Sequence, residues 1–310
     1  MNPAALAEEY GFAECFAFPA QPFDLYERRL KDGALHPAAL HLVSNPAGEL
    51  PWANAILALI MPYRPYADGV PVSGNYPSSN AAYHAANGLI KALGERGVRA
   101  ERVYVPVREL LTRSGVGVPL RNGLTAVKKY GTRYSVQTVA VNFPDVVYTP
   151  EKPPAECPCG GCRACECACP SGAITQGGYD FTKCARAYMD GEPMPEWVMD
   201  ALGSILGCET CQSVCPFNAG IEPIMSPPDA FALEKLLSGD CKDALEIVGK
   251  NLKKNGRLIQ HACVIAAKQG RRDLLPLIRP WTDDPREAVR VAAAYAIKRL
   301  QQSTEEKANN

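Results

Sequence analysis

Neither sign of charge dominates this sequence: 33 Lys and Arg stand against 33 Asp and Glu, a formal net charge of zero. A uniformly basic nucleic-acid or membrane binder is thereby excluded, and any such partner has to be met by a local patch. Long hydrophobic runs are also missing. The longest, ANAILALIM, falls well short of the ~20 apolar residues of a membrane helix. The opening MNPAALAEEYGFAECFAF has neither the basic start nor the apolar centre of a signal peptide, so a cytoplasmic protein is expected. Histidine is scarce, with four in the chain. Of these only His84, in AAYHAANG, sits where it could face a cofactor, and a lone helix histidine is more commonly structural or solvated. Cysteine, by contrast, is abundant, with 13 residues. Cellular thiols keep exposed pairs reduced in the expected compartment, which turns the reading from disulfides to metal binding or catalysis.

Residues 1–150 alternate extended and helical patterns. ANAILALIMPY and RVYVPV are compact, apolar and bounded by proline, as buried strands are, and YSVQTVAVNF alternates as a strand does. Between the first two, Ala82, Ala85, Ala86, Leu89, Ile90 and Leu93 keep the spacing of an amphipathic helix that should end by Gly97. TPEKPPAE, at 149–156, marks a break, and the prolines after CPFN mark another. From about residue 229 the pattern turns helical. Val289, Ala292, Ala293, Ala296 and Leu300 form one apolar stripe, and Leu258, Ala262, Ile265 and Ala266 another. Paired helices with an Asp-Pro turn look HEAT-like, with a plain helical cap as the alternative. The expected class is α+β: a layered α/β domain at 1–150, a ferredoxin-like domain at 151–228, a helical region at 229–302 and a disordered tail at 303–310.

Six cysteines fall within Cys157–Cys169, and Cys159, Cys162, Cys165 and Cys169 follow Cys-x2-Cys-x2-Cys-x3-Cys-Pro, the bacterial ferredoxin run. A shorter copy, Cys208-x2-Cys211-x3-Cys215-Pro, lacks one cysteine. In two-cluster ferredoxins the last cysteine of each run binds the other cluster. That places Cys159, Cys162, Cys165 and Cys215 on one [4Fe–4S] cluster and Cys169, Cys208 and Cys211 on the second, with Cys184 as the best candidate for its fourth ligand. Cys157 and Cys167 crowd committed ligands, and Cys15, Cys241 and Cys263 read as ordinary thiols. Paired Cys-x2-Cys knuckles also hold zinc, but zinc does not call for three cysteines at i, i+3 and i+6 before a Cys-Pro. Two adjacent clusters make an electron wire, and a wire implies an external donor and an acceptor.

The order Cys-x2-Cys-x2-Cys-x3-Cys-Pro-Ser-Gly-Ala-Ile, a lone Cys184, then Gly-Cys-x2-Cys-x3-Cys-Pro-Phe-Asn and HEAT-like helices resembles the epoxyqueuosine reductase family. Those are cobalamin-dependent iron–sulfur enzymes related to reductive dehalogenases. Upstream, SGVGVPLRNGLTAVKKYG is similar to the family's Gly-x-Gly-x-x-Gly-Lys-Asn segment, and AYHAANGLIKAL looks like its Asp-Tyr-His helix with Ala82 in place of the Asp. The resemblance runs over roughly residues 45–300 and is most specific in the cysteines. It implies a cobalamin in the N-terminal domain, reduced through the clusters and removing oxygen from an epoxide while a side chain supplies a proton. Carried over by motif, the cobalamin contacts are Gly117, Arg121, Asn122 and Gly131. Gly117 and Gly131 are equally readable as turn glycines with positive φ.

Three departures stand out. Arg121-Asn122 replaces Lys-Asn, Pro119-Leu120 rebuilds the loop before it, and the family's acidic proton donor has no matching Asp. Glu101, Tyr104 and Glu109 lie nearby without matching it. The family acts on tRNA, and Lys250, Lys253, Lys254, Arg257, Lys268, Arg271 and Arg272 occur in a stretch without Asp or Glu that could meet phosphates or simply face solvent. Two functions follow: a cobalamin-dependent reductase acting on a modified nucleoside in tRNA or a related electrophile, or a non-catalytic two-cluster electron carrier.

Overall fold

The computed structural model describes residues 3–35, 39–150 and 152–308, with side chains as far as residue 302. Its strands are β1 (Glu14–Pro19), β2 (Ala55–Pro62), β3 (Ala100–Arg102), β4 (Gly117–Pro119), β5 (Thr125–Val127) and β6 (Tyr134–Val141), before a short hairpin in the cysteine region. Four of them form an antiparallel sheet in the order β1-β2-β6-β3. Period-two alternation in β2 sends Ala55, Leu57 and Leu59 to one face, against Ala82, Ala86, Leu89 and Leu93 of the helix Asn75–Glu95. Ile56 and Ala58 go to the other, against Phe18, Phe23, Leu110 and Leu111. Both faces are covered, which is why β2 reads as an unbroken apolar run. The helix Asn75–Glu95 stops where Gly97, at φ +79°, turns the chain back onto Leu93 and Gly94.

RVYVPV pairs less than its composition predicts. Only Ala100–Arg102 joins the sheet, as an edge strand, because Pro106 has no N–H to give and instead caps the helix Val107–Arg113. The residue range 303–308, expected as a disordered tail, continues the helix Glu287–Ala308, in keeping with the strong helix formers Glu, Lys and Ala there. Residues 309–310 lie outside the described residues.

A separate core lies beyond the sheet. Met189, Val198, Leu202, Ile205 and Leu206 share it with Phe231, Ala262, Ile265, Val289 and Ala293. The scaffold between the two cysteine runs and the C-terminal helices therefore bury one continuous apolar surface. The segment Tyr66–Ser73 laces the sheet to this body through parallel bridges Tyr66↔Ile224 and Val72↔Ile205. Among the described residues no helix is long and apolar enough to cross a membrane.

Candidate metal centre and adjoining cavity

Two short helices, Ala164–Ala168 and Thr210–Ser213, pack against each other and carry the two cysteine runs. Each run ends at a Cys-Pro step. The ring of a proline excludes the helical region for the residue before it, so Cys169 (φ −66°, ψ 115°) and Cys215 (φ −79°, ψ 125°) are extended. Extension carries each of these two thiols away from its own helix and toward the other run. Cys184, likewise extended, precedes the helix Ala185–Tyr188.

The cysteines group accordingly. Cys165 lies within electrostatic reach of Cys215 and Cys162, and Cys215 within reach of Cys162. Cys159 lies in the same loop, its carbonyl accepting the Cys162 N–H at 2.7 Å, its Sγ accepting the Arg121 backbone N–H at 3.4 Å and its thiol neighbour being Cys157. Around Cys211 gather Cys208, Cys184 and Cys169, with Cys165 facing it from the first group, so the two groups adjoin. Seven of the eight expected ligands thus fall into two neighbouring groups of soft donors, with Cys159 in the adjoining loop. All thirteen cysteines are free thiols, and Cys157 and Cys167 are exposed. Among the described residues no three His, Cys, Asp or Glu side chains close on a single-ion site. Burial pushes the Cys211 thiol up to about 12. Burial also opposes ionisation of Cys169, but the Ser171 hydroxyl and the N–H groups of Ser171, Ala173 and Gly172 outweigh it and hold this thiol below its ordinary value.

Cys169, Cys184, Cys208 and Cys211 line a cavity of about 350 Å3 at the seam with the sheet domain. Its wall includes Asn122, which is 4% exposed. The Oδ1 of Asn122 accepts the Leu124 N–H at 3.2 Å, while its buried Nδ2 has no partner among the described residues. Burial raises the phenols of Tyr63 and Tyr134, on the same wall, well above their ordinary range and keeps them protonated.

The other proposed cofactor contacts are placed differently. Gly117 has no positive φ; a Cβ there would fall 2.4 Å from Thr125, so it serves close packing of the β4–β5 hairpin. Gly131 does take φ +53°, and a Cβ would meet Asn218 Oδ1 at 2.0 Å. Arg121 turns to the first cysteine loop, donating to the carbonyl oxygens of Cys162 and, at 2.6 Å, Gly160. Of the four, Asn122 lines the cavity. Glu101 pairs with Arg99 at 2.8 Å, Tyr104 is exposed, and Glu109 accepts the Leu25 and Tyr26 N–H groups at the start of the helix Asp24–Lys31. None of the three lines the cavity. His84 is exposed and stacks edge-on with Tyr83.

The basic stretch is largely spoken for. Lys250 pairs with Glu246, Arg257 with Asp190, and Arg271 with Glu234 and Asp273, while Lys268 donates to the Asp200 carbonyl at 2.6 Å. Lys253 and Lys254 remain exposed.

Several residues that motif reading passed over hold the site. Buried Arg133, just before β6, pairs with Glu209, which also accepts from Ser73 Oγ at 2.7 Å, so these two residues clamp the neighbour of Cys208. Asn218 accepts the Thr132 N–H at 2.8 Å and donates to Thr132 Oγ1 and the Gln212 carbonyl. His261, fully buried, accepts the Leu206 N–H on Nδ1 at 2.9 Å. Leu206 holds φ +56°, a strained setting for a bulky residue, two positions before Cys208. Arg186 reaches the cavity wall from a network with Tyr76 (2.9 Å) and Asp190 (3.3 Å).

Comparison with known proteins agrees with this geometry. Residues 158–218 match a family described as a 4Fe-4S double cluster binding domain. Epoxyqueuosine reductase of Bacillus cereus is 28% identical over 290 residues, which cover 83% of this chain and 75% of that one. The enzyme of the same name from Bacillus anthracis is 30% identical over 207 residues, 62% of this chain and 53% of that protein. Among solved structures, a selenomethionine-labelled epoxyqueuosine reductase superposes with a TM-score of 0.75 at 24% identity, covering 96% of this chain and 89% of that one. An epoxyqueuosine reductase bound to an epoxyqueuosine-modified tRNA-Tyr stem loop gives 0.74 at 24% identity, with the same coverage.

Proposed function

This chain belongs to the epoxyqueuosine reductase family of oxidoreductases, and we propose that it passes electrons through two [4Fe–4S] clusters to an acceptor bound in the cavity beside Cys208 and Cys211. The observation that carries this reading is the gathering of Cys169, Cys184 and Cys208 around Cys211 on the cavity wall, with Cys162, Cys165 and Cys215 grouped beside them. Cys159, Cys162, Cys165 and Cys215 hold the first cluster. Cys169, Cys184, Cys208 and Cys211 hold the second. When bound, the clusters supply one-electron transfer. The protein's part is to keep the thiols in reach: the Cys-Pro steps direct Cys169 and Cys215 across, His261 fixes the turn before Cys208, and Arg133 with Glu209 ties that turn to the sheet.

The acceptor implied by the family is a cobalamin, whose reduced cobalt would supply the attack on an electrophile. Asn122, on the cavity wall with a buried Nδ2 that has no partner among the described residues, is the candidate residue to hold it or the substrate. The proposed substrate class is a modified nucleoside in tRNA, as in the relative solved with a stem loop, with Lys253 and Lys254 left to meet phosphate and the protein working in the cytoplasm. The helices Arg257–Lys268 and Glu287–Ala308 would form a HEAT-like pair on that side. A second reading, a two-cluster electron carrier, draws on the absence of Glu101, Tyr104 and Glu109 from the cavity wall.

The deciding experiment is anaerobic purification with iron, sulfide and cobalt analysis, followed by titration with hydroxocobalamin. About eight iron per chain with one cobalamin supports the reductase. About eight iron with no cobalamin leaves the carrier, and zinc in place of iron overturns both.

A further inference from the structure

The two cysteine sets differ in their access to solvent. The second lines the interior cavity, whereas Cys162 of the first is exposed and Cys215 is flanked by Val214 and Phe217, 41% and 42% exposed. Such apolar exposure beside a redox centre is the usual core of a transient contact.

Two grooves lie nearby, one reaching the first cysteine loop at Cys157 and Gly160 and the other reaching Phe217. The first, of about 900 Å3, is lined by Arg29, Arg108 and Arg121. The second, of about 830 Å3, is lined by Lys128, Lys129, Lys152 and by Phe217 itself. The carboxylates on these walls are already engaged. Asp180 bonds Thr182 and pairs with Lys183, and Glu14 pairs with Lys129. Among the described residues Arg29, Arg108, Arg121, Lys128 and Lys152 make no ion pair at all. Burial, and after it repulsion from Arg29, holds the Arg108 guanidinium below its ordinary value, with Cys157 acting the other way. In a chain of zero net charge, a cluster of unpaired cations at one redox face is a local feature. Arg121 links it to the cysteines, lining the first groove while its guanidinium holds the Cys159–Cys162 loop.

We infer that the face formed by the two grooves, Val214 and Phe217 is the electron-entry surface, and that it receives a small acidic electron-carrier protein with its redox group near its own surface. The inference rests on the reading of Cys159, Cys162, Cys165 and Cys215 as cluster ligands. One electron crosses at each encounter: an acidic flavoprotein in its anionic hydroquinone state becomes the neutral semiquinone, and the protein is reduced by one electron, with no proton transferred. Complementary charge of this kind acts chiefly on the association rate and is screened by salt.

The test uses the iron-loaded full chain, oxidised flavodoxin as the acidic probe, and the double variant R29E/K152E, whose two side chains make no hydrogen bond or ion pair among the described residues. Binding is titrated at low and high ionic strength, and reduction by flavodoxin hydroquinone is followed in a stopped-flow cell beside reduction by photoreduced deazaflavin, a small neutral reductant. The charge reversal is expected to weaken flavodoxin binding about tenfold or more at low salt and to flatten its salt dependence. Reduction by flavodoxin should slow in step and reduction by deazaflavin should not. Unchanged flavodoxin binding overturns the inference. So does equal slowing with both reductants, or loss of binding to an RNA stem loop with flavodoxin binding intact, which would give the face to RNA. Failure of the cluster reading shows separately, as iron far below eight per chain in the unmodified protein before any carrier is added.

Discussion

Acidification should loosen the second cysteine loop through a histidine that binds no metal. His261 is fully buried, and burial lowers its pKa from 6.5 to about 4, with Arg257 and Arg186 nearby also opposing a proton and the Met189 carbonyl and Asp190 favouring it. A base with a depressed folded pKa stabilises the fold above its unfolded value, because between the two values the unfolded chain binds more protons. Stability therefore declines as pH falls below about 6.5 and continues to decline until about 4. The difference of about 2.5 units corresponds to roughly 3 kcal/mol in all, and to about 2 kcal/mol by pH 5. His261→Asn keeps an acceptor close to the position of Nδ1 but cannot titrate. Urea unfolding between pH 7.5 and 5 should show the wild-type midpoint falling more steeply than that of H261N, with iron retained by both at pH 7.5. His261→Leu strands the buried Leu206 N–H, at about 1–3 kcal/mol, and should release iron from the second set first. Equal acid slopes in wild type and H261N would refute the argument.

Three further outcomes are expected. Cys211→Ser or Cys184→Ser should halve the iron, from about eight to about four per chain, whereas Cys157→Ser and Cys167→Ser should leave it unchanged by colorimetric assay. Asn122→Leu removes the orphan donor and should lower affinity for whatever fills the cavity, hydroxocobalamin being the first probe, by about 10- to 100-fold in a spectral titration. Asn218→Ala breaks a buried network that joins Thr132 to Gln212 and should cost about 2–4 kcal/mol in thermal or urea unfolding, with partial loss of iron.

The cysteines were legible because ligand spacing is local: three thiols within seven residues and a Cys-Pro step need no knowledge of the rest of the chain. β2, β6 and the helix Asn75–Glu95 were legible for a similar reason, their burial being periodic. What stayed hidden depends on partners far apart in sequence. Arg133 meets Glu209 across 76 residues and His261 meets Leu206 across 55, and neither residue carries a local signature. Asn218 belongs to a recognisable Cys-Pro-Phe-Asn string, but its work is done on Thr132, in another part of the fold. Arg121 shows that a motif match gives position in the chain and not direction of the side chain. With Pro119 and Leu120 before it, the loop turns that side chain to the first cysteine run and leaves its neighbour Asn122 at the cavity.

The shared core of the 185–206 scaffold and the C-terminal helices has a consequence for how the protein is made. During synthesis both cysteine runs leave the ribosome before residue 257 has been added, yet the turn that presents Cys208 is pinned from the helix Arg257–Lys268. The first thiol set can gather while the chain is still growing; the second is complete only after those helices have folded onto it. Metal delivery to the interior set is thus timed by the downstream helices.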